Sequence, residues 1–453
     1  MLVLRRLKSE KIAVFLNDPD NYIVTETARA IHDDRSIPKR LPELAQLLSR
    51  TDLSSEPLLR RCISAAQRAG TVKELELVIA FANRKDIAPV LRAEAMATLG
   101  TWAEPSVVDR VDGYYRGPVR RDPNPVRAKL SLPIENWLKE SDPTVLAAVA
   151  KMIQELSMKN FNATLASLAQ THPAAEVRTT MLQVLNDLEY ENMASLTEAG
   201  LKDRSDKVRT TAISMLSNLS LDKEKLRLIV KPILAKGTLR EQQQLIRVLG
   251  KMNPEQSDFV LSGIIDRVKA RKMSAGVMLE LTEAIDSTHS LSLQSKLNEF
   301  KSNDDGTLIG GNAEAGAGSF YWDAKLQCVR CHAIGTDGGK VGPPLTEIGD
   351  VLTREQIREA LINPSARIAP GYGVINLKLT DGTEVSGTLL AENSESITLK
   401  TENAEPLEIE ISRIRERNNA PSGMPAMGLI MSKQEMRNLI EFLSTRKRGS
   451  KTM

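Results

Sequence analysis

The residues best suited to do chemistry are Cys328-Val329-Arg330-Cys331-His332. Two thiols three positions apart sit on one turn and can both add to the edge of one tetrapyrrole. The histidine that follows the second thiol then falls beneath the metal as its proximal ligand. Zinc sites and redox dithiols also use a CxxC pair. A structural zinc site wants a second Cys/His pair at ligand spacing. The other cysteine, Cys62, lies far upstream, and His32, His172 and His289 are scattered. A redox dithiol would want a βαβ context, and no such pattern surrounds these cysteines. The spacing therefore favours covalent attachment of one haem c, with a non-haem CxxC site as the alternative.

The flanking residues fit that chemistry. A proximal imidazole needs an acceptor for its second nitrogen. The run Gly342-Pro343-Pro344-Leu345 begins ten residues after His332, and its rigid loop offers one. Pro343 is the expected acceptor, and Pro343 and Leu345 are assigned to the cofactor's surroundings. The same run could be only a turn. No histidine follows His332, so the sixth ligand is sought among methionines. Met424-Pro425 lies in an irregular stretch before a final helix and is the candidate distal ligand, with Met427 in reserve. Met431 and Met436 read as core. His/Met ligation leaves no open coordination position and favours electron transfer over oxygen chemistry.

The elements that position these residues can be read from periodicity. Residues 1–300 repeat. Val145, Val177 and Val208 lead matching apolar stretches spaced 32 and 31 apart. Weaker copies start at Val24, Leu59, Leu91 and Leu239. Apolar residues at i, i+3, i+4 and i+7 make each copy an amphipathic helix. Pairs of such helices stack into an α-solenoid, similar to HEAT repeats. An insertion near Gly113–Pro133 reads as a surface connector or a docking loop. Residues 301–315 read as a linker and 448–453 as a frayed tail. From 316 to 447 the pattern is that of a small class I-like cytochrome c domain, closed by its first and last helices. Gly316 and Phe320 should meet Leu439 and Phe442. Ser432 and Glu435 form a capping box for the last helix. Alternating residues from Val374, with the hairpin signal Asp381-Gly382, predict a β insertion over 373–417. The fold class is thus mainly α, with a small β-strand insertion.

Composition sets bounds. The chain has 453 residues and a net charge of +3, with 41% apolar, 26% charged and 4% aromatic residues. That balance offers nothing for nucleic-acid binding. No apolar run is long enough to span a bilayer. Met1 to Leu7 is too short and basic for a signal-peptide core, although haem attachment implies an extracytoplasmic, periplasmic or cell-surface setting. The expectation is that the chain lacks its natural beginning. Cys62 reads as a small buried core residue, and the three scattered histidines as helix-end or surface residues.

Taken in order, several motifs resemble the planctomycete/verrucomicrobial-type haem-binding domain family. They are Gln327 to His332, Val341 to Gly349, Asn363-Pro364, Ile368 to Tyr372, Asp381-Gly382 with Gly387, and Met424-Pro425. Asp18 to Asp33 is similar to the HEAT-like repeat that precedes this domain in larger members. The resemblance implies a one-electron carrier fused to a scaffold, with a redox partner protein, which could be a separate dehydrogenase. The larger members also carry an upstream β-propeller dehydrogenase-like region, and nothing in this chain matches it. No catalytic base can be named, so the chain alone is not expected to be an enzyme. The alternatives are the haem-bearing part of a sugar or alcohol dehydrogenase, membrane-associated or periplasmic, and a scaffold with a non-haem CxxC.

Overall fold

A computed structural model describes residues 1–34, 37–219, 221–299, 306–402 and 405–450. The chain is mainly helical, with one small sheet and a two-stranded ribbon. It divides into two compact units, residues 1–219 and 220–453.

In the first unit, six helices form one layer. They are α1 (Asn21–His32), α2 (Glu56–Ala69), α3 (Pro89–Gly100), α4 (Pro143–Glu155), α5 (Ala175–Asp187) and α6 (Asp206–Ser214). Each packs on the next. Shorter or interposed helices, such as Val72–Asn83 and Asn162–Thr171, form the second layer. The repeat follows from a simple constraint: one amphipathic helix pair cannot bury its apolar face alone, so neighbours must. The leading valines Val145, Val177 and Val208 are all fully buried, in or beside one continuous core. Cys62 lies in that core, and burial pushes its thiol far above the ordinary range.

The expected connector near Gly113–Pro133 is corrected by the structure. Residues 124–137 are helical, with Pro133 inside the helix. The true excursion is shorter and is tied down. Val108 bridges Tyr115, and the Arg116 amide donates to the Val107 carbonyl at 2.7 Å. The Arg121 guanidinium donates to the carbonyls of Trp102 and Gln67, both at 2.7 Å.

The second unit begins well before the expected boundary at residue 300. Helices α7 (Leu239–Leu249) and α8 (Met278–Thr288) belong to it with everything that follows. Of the expected linker, 301–305 lie outside the described residues, and 306–312 are packed. Thr307 is fully buried. Gln243 Nε2 donates to the carbonyls of Gly276 and Gly310 at 2.8 and 2.9 Å. The expected tail is partly engaged too, since the Arg448 amide donates to Asp350 at 2.7 Å; residues 451–453 lie outside the described residues.

Helix α9 (Ala313–Tyr321) crosses α11 (Lys433–Ser444), and α10 (Arg354–Ile362) packs beside α11. A Cβ at Gly316 would stand 2.0 Å from the Asn438 carbonyl oxygen, so only glycine permits this crossing. The Phe320 and Phe442 rings meet at 5.9 Å between centroids. The Ser432–Glu435 capping box is present. Helix α9 starts at Ala313, within the expected 301–315 linker, and stops at Tyr321, short of the Leu326 to which the sequence extends it.

The ribbon pairs β1 (Ala333–Ile334) with β2 (Asp337–Gly338). The insertion is a five-stranded antiparallel sheet: β3 (Val374–Leu379), β4 (Glu384–Glu392), β5 (Ser396–Lys400), β6 (Leu407–Glu410) and β7 (Ile414–Asn419), in the order β6-β5-β4-β3-β7. The sequence reads 407–414 as one strand; a 3₁₀ turn at 411–413 breaks it, and the insertion runs to Asn419. Consecutive strands β6 and β7 thus lie on opposite edges. Four strand spacings span roughly 19 Å when flat, whereas four 3₁₀ steps cover about 8 Å. The sheet must therefore curl until its edges approach. Register shifts beside Leu389 and Leu379 supply the bends. Ile375, Leu377, Leu389, Leu399 and Ile409 fill the concave side as a core of their own.

Candidate functional site

The Cys328–Leu345 segment is held mainly by its own backbone. A 3₁₀ turn spans Cys328–Arg330 and is entered through Gln327, whose φ of 49° is unusual for a residue with a side chain. The His332 amide donates to the Cys328 carbonyl at 3.0 Å. The amides of Gly339, Gly342 and Leu345 donate to the carbonyls of Val329, Cys331 and Ala333, each at 2.8 Å. These bonds fold the Gly-Pro-Pro run back over the histidine.

His332 Nδ1 lies 2.8 Å from the Pro343 carbonyl oxygen. A carbonyl can only accept, so Nδ1 carries a proton, and in the neutral ring Nε2 is the nitrogen with the lone pair. A Cβ at Gly342 would fall 2.6 Å from His332 Cε1, so glycine is required for the ring to lie there. Cys328 and Cys331 are both free thiols, the first half-buried and the second exposed. Burial pushes the Cys328 thiol up to about 11.

Leu345, Cys328, Val329, Ile348, Leu352 and Met424 are partly buried against one apolar cluster. That cluster includes Phe320, Leu439, Phe442 and Met427. Met427 is 3% exposed, so its thioether is already committed to packing. Met431 and Met436 are buried there as well. Met424 is half-buried at the margin, with its amide bonded to Ser422 Oγ at 3.1 Å. The structure thus distinguishes the two candidate methionines by burial. Large apolar side chains of this region, Val341, Val351 and Leu429, are 80%, 71% and 88% exposed.

A second cluster escaped the sequence reading. His32, expected at a surface or helix end, is fully buried. Its Nδ1 is 2.7 Å from Asp33, and its Nε2 is 2.8 Å from Ser64 Oγ and 3.5 Å from Asp109. Asp112 is 3.7 Å away. Arg116 pairs with Asp109 and Asp112, and Arg61 with Asp33. Among the described residues, His32, Asp109 and Asp112 bring three potential ligand atoms within 4.8 Å of one another. The arginines already satisfy these carboxylates, so the cluster reads as a staple holding the 103–121 excursion to α1 and α2. No local signal could have found it, because His32 and Asp109 are far apart in the chain. His32, the last residue of α1, is at a helix end as expected, though buried, and His172 and His289 sit at helix ends too.

Burial opposes charge on His32, but the hydrogen bonds its ring donates to Asp109 and Asp33 outweigh it and raise its pKa. His32 also helps hold Asp33 down at about 2, against burial. A raised histidine pKa stabilises the fold fully below the unfolded value near ~6.5 and ceases to do so as pH rises through the folded value. Hydrogen exchange in residues 103–121 is therefore expected to speed up, relative to the rest of the first unit, between neutral and alkaline pH after correction for intrinsic rates. In His32→Gln the excursion should exchange fast at every pH. Equal protection in both proteins would show that the staple carries no stability.

No family model matches the chain, and no curated protein matches it. Solved structures do. The complex of CpcE and CpcF of phycocyanin lyase from Nostoc is 14% identical, covering 62% of this chain and 94% of that chain with a TM-score of 0.30. Human deoxyhypusine hydroxylase in complex with glycerol is 14% identical, covering 64% and 98% with a TM-score of 0.25. At such scores neither likeness supports a conclusion about this chain.

Proposed function

We propose that this chain is a c-type electron carrier: a HEAT-like scaffold followed by a class I-like cytochrome c domain with a β insertion. The observation that carries the reading is the 2.8 Å contact between His332 Nδ1 and the Pro343 carbonyl, made directly after the Cys328/Cys331 pair. It fixes the imidazole tautomer that leaves Nε2 free for iron.

The residues present fit the group. Cys328 and Cys331 would hold its periphery, His332 would be the proximal ligand and Met424 the distal one. Pro343 and Leu345 would line the proximal side. Cys328, Cys331 and His332 do not converge on one point as ligands of a single small ion would, among the described residues. Peripheral attachment needs no such convergence. The exposed Val341, Val351 and Leu429 supply apolar surface that a flat hydrophobic group could cover. Haem, once bound, supplies the one-electron redox couple. The chain's own work is to orient the imidazole, exclude water and present a surface to a redox partner protein, which could be a separate dehydrogenase. The reading places the protein outside the cytoplasm. Among the described residues, no helix is long and apolar enough to cross a membrane.

A redox dithiol is disfavoured, because burial raises the Cys328 pKa and so suppresses its thiolate. The family resemblance supports the same electron-carrier reading.

The test is a pyridine haemochrome spectrum of the full chain, exported behind an added signal peptide in cells with c-haem maturation machinery. A c-type spectrum that survives denaturation and acid-acetone extraction is expected, and it should vanish in Cys328→Ala/Cys331→Ala. Folded, haem-free wild type would overturn the reading.

A further inference from the structure

A cavity in the first unit, unrelated to the haem loop, carries more positive charge than its walls neutralise. It lies among α2, α3 and the 103–121 excursion, with a volume of about 310 Å³. Six charged side chains line it: Arg68, Arg110, Arg116 and Arg121 against Glu94 and Asp109. Both carboxylates are already engaged. Glu94 pairs with Arg110 in the lining and with Arg60 behind it. Asp109 pairs with Arg116 and with His32. Behind the wall, Asp112 is shared by Arg116 and His32, and Asp33 is held by Arg61 and His32. Arg68 and Arg121 are left over. Among the described residues their guanidiniums hydrogen-bond only to backbone carbonyls, Arg68 to that of His32 at 3.0 Å and Arg121 to those of Trp102 and Gln67. Burial alone lowers the pKa of Arg121. Burial and the neighbouring Arg116 lower that of Arg68, outweighing Asp109, Asp112 and Asp33, which attract it from beyond ion-pair distance. A guanidinium keeps its proton all the same, so both positive charges remain. Arg116 Nη1 is buried as well and has no hydrogen-bond partner among the described residues.

We infer that this cavity binds a small organic phosphate: a phosphate monoester with an apolar body. A cation taken out of water is costly until an opposite charge compensates it, and a bound anion supplies that charge. Two guanidiniums are left over, so a dianion matches better than a single carboxylate. A phosphate monoester carries about −1.5 to −2 at neutral pH. Guanidinium forks also match phosphate oxygens in shape and direction. The apolar body follows from the rest of the lining, because Leu41, Val108, Val111 and Val119 share the cavity with the arginines. Ligand sites start at about 300 Å³, so this one has room for a single ring beside the phosphate. Arg68 stands on α2, whereas Arg116 and Arg121 belong to the excursion. The ligand therefore ties the excursion to α2, beside the His32 staple.

The probe is phenyl phosphate, titrated into the full-length chain by isothermal calorimetry. Saturable one-to-one binding is expected, at least about tenfold tighter than for benzoate, a difference of about 1.4 kcal/mol. Inorganic phosphate, which lacks the ring, should also bind about tenfold more weakly. Arg68→Gln should weaken binding of phenyl phosphate by about tenfold or more, with circular dichroism to confirm that the variant is folded. A measurement on the wild type locates the site without any substitution: phenyl phosphate should slow hydrogen exchange in residues 103–121. Absence of saturable binding overturns the inference, as do unchanged binding in folded Arg68→Gln and protection that spares 103–121. Benzoate bound as tightly overturns the assignment of a dianion. Inorganic phosphate bound as tightly overturns that of an apolar body.

Discussion

Glu280→Ala is expected to destabilise the second unit by about 3–5 kcal/mol, the usual cost of orphaning a buried charge. Glu280 and Arg437 both have fully buried side chains. Glu280 Oε1 accepts from Arg437 at 2.5 Å and from Arg247 at 2.6 Å, and Oε2 accepts from Arg437 at 2.9 Å. Gln434 Oε1 accepts from both arginines at 3.0 Å. Without Glu280 the Arg437 guanidinium, already unsatisfied at Nε, stays dry and unpaired. Arg247, 36% exposed, can turn to water. A Glu280→Leu/Arg437→Met double variant removes both buried charges and should recover most of the loss, because a well-packed apolar pair often replaces a buried ion pair at little cost. Urea denaturation followed by calorimetry and circular dichroism would measure both. A single-variant cost below about 1 kcal/mol would mean that water reaches the pair. The consequence is structural. The pair ties α8 to α11, so residues 239–288 and the cysteine-bearing segment should unfold together.

The second large effect separates the two methionines. On the proposed reading, Met424→Ala should leave the haem attached but remove the thioether from iron, lowering the midpoint potential because His/Met ligation raises it. Its stability cost should be small, since Met424 is only half-buried. Met427→Ala should do the reverse. Met427 is 3% exposed in the apolar cluster, and truncating a buried methionine costs about 2–5 kcal/mol. Its spectrum and potential should stay near wild type. Spectroelectrochemistry and urea denaturation of the two haem-loaded variants give a crossed pattern. An unchanged potential in Met424→Ala would strike Met424 from the ligand set, and a lowered one in Met427→Ala would put Met427 in its place.

Much of the molecule was legible in the chain. The repeat helices, the capping box at Ser432, the crossing of Gly316 with α11 and the strand positions all arise from short-range patterns. Helix period, strand alternation, turn residues and caps act within a few residues, so they can be read there. The approach of Pro343 to His332 was also legible, because both belong to one tight loop. Boundaries were not. The segment 306–312 looks like a linker by its three glycines, yet it is packed because Gln243 and Asn438 bond its backbone. The 407–414 run looks like one strand, yet closure of the curled sheet breaks it.

The sequence by itself determined most of the helices and strands, though not the helix at 124–137 or the break at 411–413, and placed two thiols and an imidazole on one loop. Those properties depend on covalent spacing and local backbone preference. Only the tertiary structure decided what happens to side chains distant in the chain. It buried His32 among Asp33, Ser64 and Asp109, and drew Glu280 onto Arg437. It also put Met427, rather than Met424, into the core. Burial and charge pairing depend on which surfaces meet after packing, and that is a property of the whole chain.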